Sequence, residues 1–222
     1  MATAQRQLTW AAGLREFEDW LAVAPLEFDN IKDYRAETLS IGPMFQTTYW
    51  NAVELPWRLP LPQGVFVDQW LQAALNRQSL DPELVPALRA RAQRAYPSLV
   101  REHHLRMLIE ASGEFETTCR DGGLDVQGID VLAVRLGVAV GLRSYHHSYR
   151  SAKLREHKDK KYEHLHLPLI VDLTPNQQIG QYHLHDGNQV EWICDLVDLL
   201  LEKSEPNSVY HASRILSWVE AV

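Results

Sequence analysis

The residues of this chain best placed to do chemistry fall into two groups, one of imidazoles and one of cations. Ten histidines include four close pairs: His103-His104, His146-His147, His164-x-His166 and His183-x-His185. In a strand an H-x-H spacing puts both rings on one face, because successive side chains alternate. The last two pairs bracket "LHLPLIVDLTPNQQIGQYHLHD", which reads as a hairpin about the TPNQQ turn. Antiparallel pairing there brings His164, His166, His183 and His185 together. Imidazoles suit a borderline ion such as Zn2+, so one expectation is a His-ligated metalloenzyme, a metallohydrolase or a cupin-like oxygenase. The glutamate and third histidine of a cupin-type continuation do not follow. The alternative is a half-exposed sheet face whose histidines bond carboxylates such as Asp172 and Asp186.

The cations are concentrated. Residues 143 to 161 hold Arg143, Arg150, Lys153, Arg155, Lys158, Lys160 and Lys161 against only Glu156 and Asp159, in a chain whose net charge is −7. From residue 166 onward only Lys203 and Arg214 face eight acids. An acidic protein does not coat polyanions indiscriminately, so any polyanion contact must be local. His146 and His147, beside Arg143, can join such a contact when protonated. The other reading of the basic run is a solvated helix face.

These residues need elements to hold them. Residues 1 to 24 read as a helix, with Leu14, Phe17 and Leu21 at helical spacing. The proline-interrupted, aromatic-rich stretch 25–64 reads as irregular with one short strand. Its Phe45, Tyr49, Trp50 and Trp57 either stack bases or pack as core. "VFVDQWLQAALNRQ" is helical; Asp81 caps a further helix with Pro82 at its first position. Pro97 then starts another, which Gly113 ends. From 115 the period becomes two, giving strands near 115–120, 129–135 and 137–145, the last two joined at Arg135-Leu136-Gly137. A basic helix over 150–162 follows, then strands in "HLPLIVDL" and "IGQYHLHD", then two helices. Val190, Ile193, Val197, Leu200 and Leu201 make a core-facing stripe on the first of those.

This order predicts a mixed β-sheet flanked by helices, of the α/β or α+β class. Its expected organisation is a helical and irregular region, residues 1–96, packed on a core of residues 97–222 with C-terminal helices. Cys119 and Cys194 are too far apart for a zinc knuckle and too few for a disulfide framework. The N-terminus lacks the apolar run of a signal peptide, and no apolar stretch nears the ~20 residues of a membrane span. A soluble cytoplasmic protein is expected.

Helix, β-hairpin, helix, strand, over residues 97 to 175, resembles the core of the PD-(D/E)XK, or restriction-endonuclease-like, nuclease superfamily. Four features carry the resemblance. Glu102 stands on the helix before the hairpin, and Asp130 follows Gly128 at the start of the first hairpin strand. The second strand, "VAVGLRSY", ends in polar residues, and "SYRSAKLREHKDKKY" follows. The resemblance implies Mg2+ (or Mn2+) bound by Asp130 and Glu102, since a hard ion takes oxygen ligands and keeps several waters. Such an ion activates water and neutralises charge at phosphate. Gly141 and Arg143 fall where the family carries its second acid and its lysine; arginine grips phosphate but cannot act as a base. Lys153 then stands as the displaced lysine and Glu156 as a replacement acid, both on the following helix.

The function implied is cleavage of nucleic-acid phosphodiesters, with DNA as the expected partner, in restriction, repair or mobile-element and phage-defence roles. Arg143, His146, His147, Arg150, Lys158, Lys160 and Lys161 would contact the nucleic acid. A second expectation is a non-catalytic nuclease-fold subunit that binds nucleic acid or a protein partner, as a homodimer or in a larger complex.

Overall fold

The computed structural model describes residues 2–39, 42–53, 59–77, 80–119, 128–144, 167 and 169–203. The N-terminal part is helical: α1 (Ala2–Val23), α2 (Tyr34–Thr38), α3 (Gly42–Ala52) and α4 (Gln63–Arg77). The stretch expected to be irregular therefore contains two helices. Asp33 starts α2 by accepting the Arg35 backbone N–H at 2.8 Å, which satisfies one of the orphan donors of a first turn. α3 holds because its aromatics are buried: Phe45 stacks on Trp70 at 4.4 Å between centroids, and Tyr49 is 1% exposed. They are core, as their alternative reading had it. Trp57 lies outside the described residues.

After a 3-10 turn (Pro82–Leu84) begun by Asp81, a single helix, α5 (Val85–Ser112), runs to Gly113, whose φ of 72° provides the left-handed cap. The expected break at Pro97 is absent. Proline has no N–H for the carbonyl four residues back, here that of Gln93. The buried Gln63 fills the gap, donating Nε2 to Gln93 O at 3.0 Å. The same amide pairs with the Glu27 backbone, accepting its N–H at 2.7 Å and donating to its carbonyl at 3.1 Å. The expected boundary at 96/97 falls inside this continuous helix. Its first half packs with α3 and α4, and its second half lies against α1, with Phe17 on His103, and against the sheet through Leu105 and Ile109.

The sheet is mixed. Strands β1 (Thr117–Cys119), β2 (Val131–Arg135), β3 (Val138–Ser144) and β4 (Leu169–Leu173) lie in the order β1-β2-β3-β4. The first three are antiparallel neighbours, and β4 runs parallel to β3 with Arg143 opposite Asp172. Val131, Ala133, Val138, Val140, Leu142, Val171 and Leu173 point one way, onto Leu105 and Ile109 of α5 and onto the last described helix, α6 (Gly187–Lys203). Val190, Ile193 and Val197 of α6 form the expected stripe, with Leu200 and Leu201 at its margin. Arg135, at the end of β2, ties this layer together through Glu114 (2.8 Å) and Asp198 (3.1 Å).

The expected hairpin about TPNQQ is not formed. β4 pairs with β3, while β5 (Gln177–Ile179) and β6 (Tyr182–Leu184) make a separate two-stranded ribbon turning at Gly180-Gln181. Gly180, at φ 56°, is pressed on the end of α1: a Cβ there would stand 2.4 Å from Leu21 O. Gln181 accepts the Leu26 N–H at 2.6 Å beside it. Docking on α1 thus decides the turn. The described architecture is α+β, with a four-stranded mixed sheet packed by helices.

Candidate functional site

A chain of short polar contacts runs across the ends of β2, β3 and β6. The Asp130 N–H donates at 2.9 Å to the carbonyl of Leu142, the residue that Val131 faces across the hairpin. One carboxylate oxygen of Asp130, Oδ2, accepts the Ser144 N–H at 2.6 Å. Ser144 Oγ lies 2.6 Å from His185 Nε2, and His185 Nδ1 lies 2.8 Å from Gln189 Oε1. Gln189 in turn donates Nε2 to Thr174 O at 2.8 Å, and Asp186 Oδ1 accepts its backbone N–H at 3.1 Å.

This geometry assigns the protons. Because Gln189 gives its NH2 to Thr174, its oxygen faces His185, so Nδ1 carries the ring proton and Nε2 accepts from the Ser144 hydroxyl. Burial holds the ring neutral, pushing His185 down to about 4, against the opposing pull of the Gln189 contact; the charges of Arg101 and His104 push the same way as burial. A serine, a histidine and an oriented amide resemble a nucleophile–base relay. A base that protonates only near pH 4 and is wholly buried is poorly matched to that task at neutral pH, and the contacts serve to hold Asp130.

Arg101 closes the other side. It is 8% exposed on α5 and donates Nε to His183 O at 2.9 Å, two residues before His185. Its charge acts on both Glu102 and Asp130, whose carboxylates counter the lowering that burial imposes on the guanidinium. Glu102 is itself 8% exposed. On β3, Arg143 reaches Asp172 on β4 at 3.9 Å. Gly141, two residues earlier and therefore on the same face as Arg143, faces hydrocarbon. A Cβ added there would stand 2.8 Å from both Ile129 Cδ1 and Leu167 Cδ1.

These residues do not by themselves fit a divalent cation. Two carboxylates are present, with a buried guanidinium serving both. The face where a third would stand is filled by Ile129 and Leu167. Among the described residues no three His, Cys, Asp or Glu side chains are grouped so as to hold a metal ion. His183 is exposed on β6 whereas His185 is fully buried beyond its end, so the H-x-H spacing does not put both rings on one face. His103 and His104 are core: the former meets Tyr49 OH at 3.1 Å, the latter Glu18 at 3.1 Å. Lys153, Glu156, His146, His147, Arg150, Lys158, Lys160, Lys161, His164 and His166 lie outside the described residues.

Arg101, Ser144 and Gln189 had no role in the sequence reading, and Asp172 entered it only as a histidine partner. A groove of about 700 Å3 opens elsewhere, between the end of α5 and α6, but Glu114, Glu191, Asp195 and Asp198 line it and would repel phosphate. No helix among the described residues is long and apolar enough to cross a membrane.

Fold and site together define a class: an α+β protein with a buried, charge-balanced polar cluster at one end of a mixed sheet. Compared with protein-family models, with curated proteins and with solved structures, the chain matches none.

Proposed function

We propose that this chain is a nuclease-fold protein that binds the phosphate backbone of nucleic acid without cleaving it, built on a restriction-endonuclease-like core. The observation that carries this is the run α5, β1, β2, β3, β4 with β4 parallel to β3. A helix, an antiparallel hairpin and a parallel strand beyond a crossover make up the core of that superfamily. Asp130 and Glu102 stand on the corresponding elements. The closed wall at Gly141 and the buried Arg101 favour binding over catalysis. The binding surface is Arg143 with the basic segment that follows it, through His146, His147, Arg150, Lys158, Lys160 and Lys161.

The second reading is Mg2+-dependent cleavage, and the position of Asp130 at the mouth of the hairpin, bonded to Leu142 O, favours it. It needs Lys153 and Glu156 to complete the site from the following segment. One set of measurements separates the two. Labelled duplex and single-stranded oligonucleotides should bind in EDTA, and Lys158→Glu with Lys160→Glu should weaken binding at least tenfold; unchanged affinity sinks the binding proposal. Plasmid nicking with Mg2+ or Mn2+ that Asp130→Ala abolishes would establish cleavage instead.

A further inference from the structure

We propose that the groove between the end of α5 and α6 is a docking site for a cationic amphipathic helix of a partner protein. The proposal stands apart from the nucleic-acid reading, whose ligand carries the opposite charge. The groove encloses about 700 Å3. Its described floor is apolar and built from three helices: Leu14 of α1, Leu108 and Ala111 of α5, and Val190 of α6. Leu14, Leu108 and Ala111 are only partly buried, so apolar surface is left facing the opening. Along α6 the lining runs from Gly187 to Asp198, about 16 Å or three helical turns. A Cβ added at Gly187 would meet nothing within 4 Å, so that end is open.

Charge selects the occupant. Glu191, Asp195 and Asp198 follow one another at spacings of four and three residues, so they share one edge of α6, where like charges repel. Arg135, the one described cation of the lining, is held by Glu114 at 2.8 Å and by Asp198 at 3.1 Å. Glu191 and Asp195 are exposed, and no ion pair engages them among the described residues. Burial pushes the Cys194 thiol up against the pull of Arg135, which keeps it protonated and leaves no reactive thiolate in the groove. An apolar floor beside an acidic edge takes a helix that lays down an apolar stripe and flanks it with Lys or Arg, the helix-in-groove mode of recognition. A polyamine would satisfy the acids but leave the floor wet. A neutral helix would leave Glu191 and Asp195 without counter-charges.

The test is fluorescence anisotropy of the full chain with a labelled leucine–lysine peptide of about four helical turns, its leucines recurring at helical spacing. The peptide should bind one-to-one. Glu191→Lys with Asp195→Lys should weaken it at least tenfold. A peptide of the same composition, scrambled so that no helical stripe remains, should also bind at least tenfold more weakly. Asp29→Lys with Glu83→Lys, exposed acids by the first half of α5, should bind as wild type. If the first double variant does not fold, Glu191→Gln with Asp195→Asn, which adds no cation, should still weaken binding at least threefold. Unchanged affinity in a folded variant overturns the proposal, as does equal weakening by the Asp29 and Glu83 pair. Two further results overturn it by naming another occupant. Displacement of the peptide by an equal concentration of spermine would give the acids to small polycations. Self-association of wild type that Glu191→Lys with Asp195→Lys abolishes would give the groove to a second copy of the chain.

Discussion

Ser144 Oγ and His185 Nε2 stand 2.6 Å apart, and the hydrogen between them belongs to the serine. That one contact joins the end of β3 to the entry of α6 and fixes the backbone N–H that Asp130 accepts. Ser144→Ala should leave a buried ring nitrogen without its donor and lower stability by about 1–3 kcal/mol. Chemical denaturation checks this; a loss below about 0.5 kcal/mol would show that the contact is not held in solution.

The neutral state of His185 sets an acid limit. Its ring ionises near 4 in the fold and near 6.5 in the unfolded chain. A depressed folded value means the contribution is fully present above pH 6.5. It is lost as pH falls through that window toward 4, when the unfolded chain takes up a proton that the fold refuses. The size is about 3 kcal/mol. Stability curves of wild type and His185→Gln should run parallel above pH 6.5, and wild type should lose about 3 kcal/mol relative to the variant between pH 6.5 and 4. Curves that stay parallel through that window would mean that His185 is not held neutral.

Gly141 is a packing residue. Gly141→Ala should cost about 1–3 kcal/mol, because the new methyl meets Ile129 and Leu167. Combining it with Leu167→Ala should cost less than the sum of the two changes, since the second removes one wall. Additive losses in melting experiments would place Gly141 elsewhere. Gly141→Glu should destabilise further, because a longer side chain meets the same two walls.

Gln63 replaces a backbone donor that proline cannot supply. Gln63→Ala should leave the carbonyls of Gln93 and Glu27 and the Glu27 N–H without partners, at about 3 kcal/mol. In that background Pro97→Ala should recover part of the loss by restoring the helix N–H to Gln93 O. A double variant no more stable than Gln63→Ala would refute the substitution of one donor for the other.

Gly180→Ala combines a positive φ with a Cβ 2.4 Å from Leu21 O, a backbone atom that cannot turn aside. The expected loss exceeds about 2 kcal/mol. The amides of β5 and β6 should then exchange faster, while those of β2 and β3 keep their protection.

Much of this was legible in the chain. The period-two runs at 131–135 and 138–144, with an Arg-Leu-Gly turn between them, name their own hairpin. Asp81 and Gly113 mark helix boundaries by their own chemistry. The helices 34–38 and 42–52 were missed because prolines and aromatics read locally as irregular, whereas burial against α4 and α5 holds them. Pro97 was misread because its remedy, Gln63, lies thirty-four residues away. The pairing of His183 with His185 was read from strand alternation, but the strand ends at Leu184.

By itself the sequence determined the β2–β3 hairpin, the ends marked by Asp81 and Gly113, and the missing side chain at Gly141, because periodicity, caps and glycine are local facts. The tertiary structure decided which charges meet. Arg101, Asp130, Ser144, and His185 with Gln189 come from four separate stretches, and only the docking of α5, β3 and α6 brings them within bonding and electrostatic reach. An arginine's burial, a histidine's tautomer and the closed wall at Gly141 are properties of that assembly, since each depends on atoms far along the chain that exclude water.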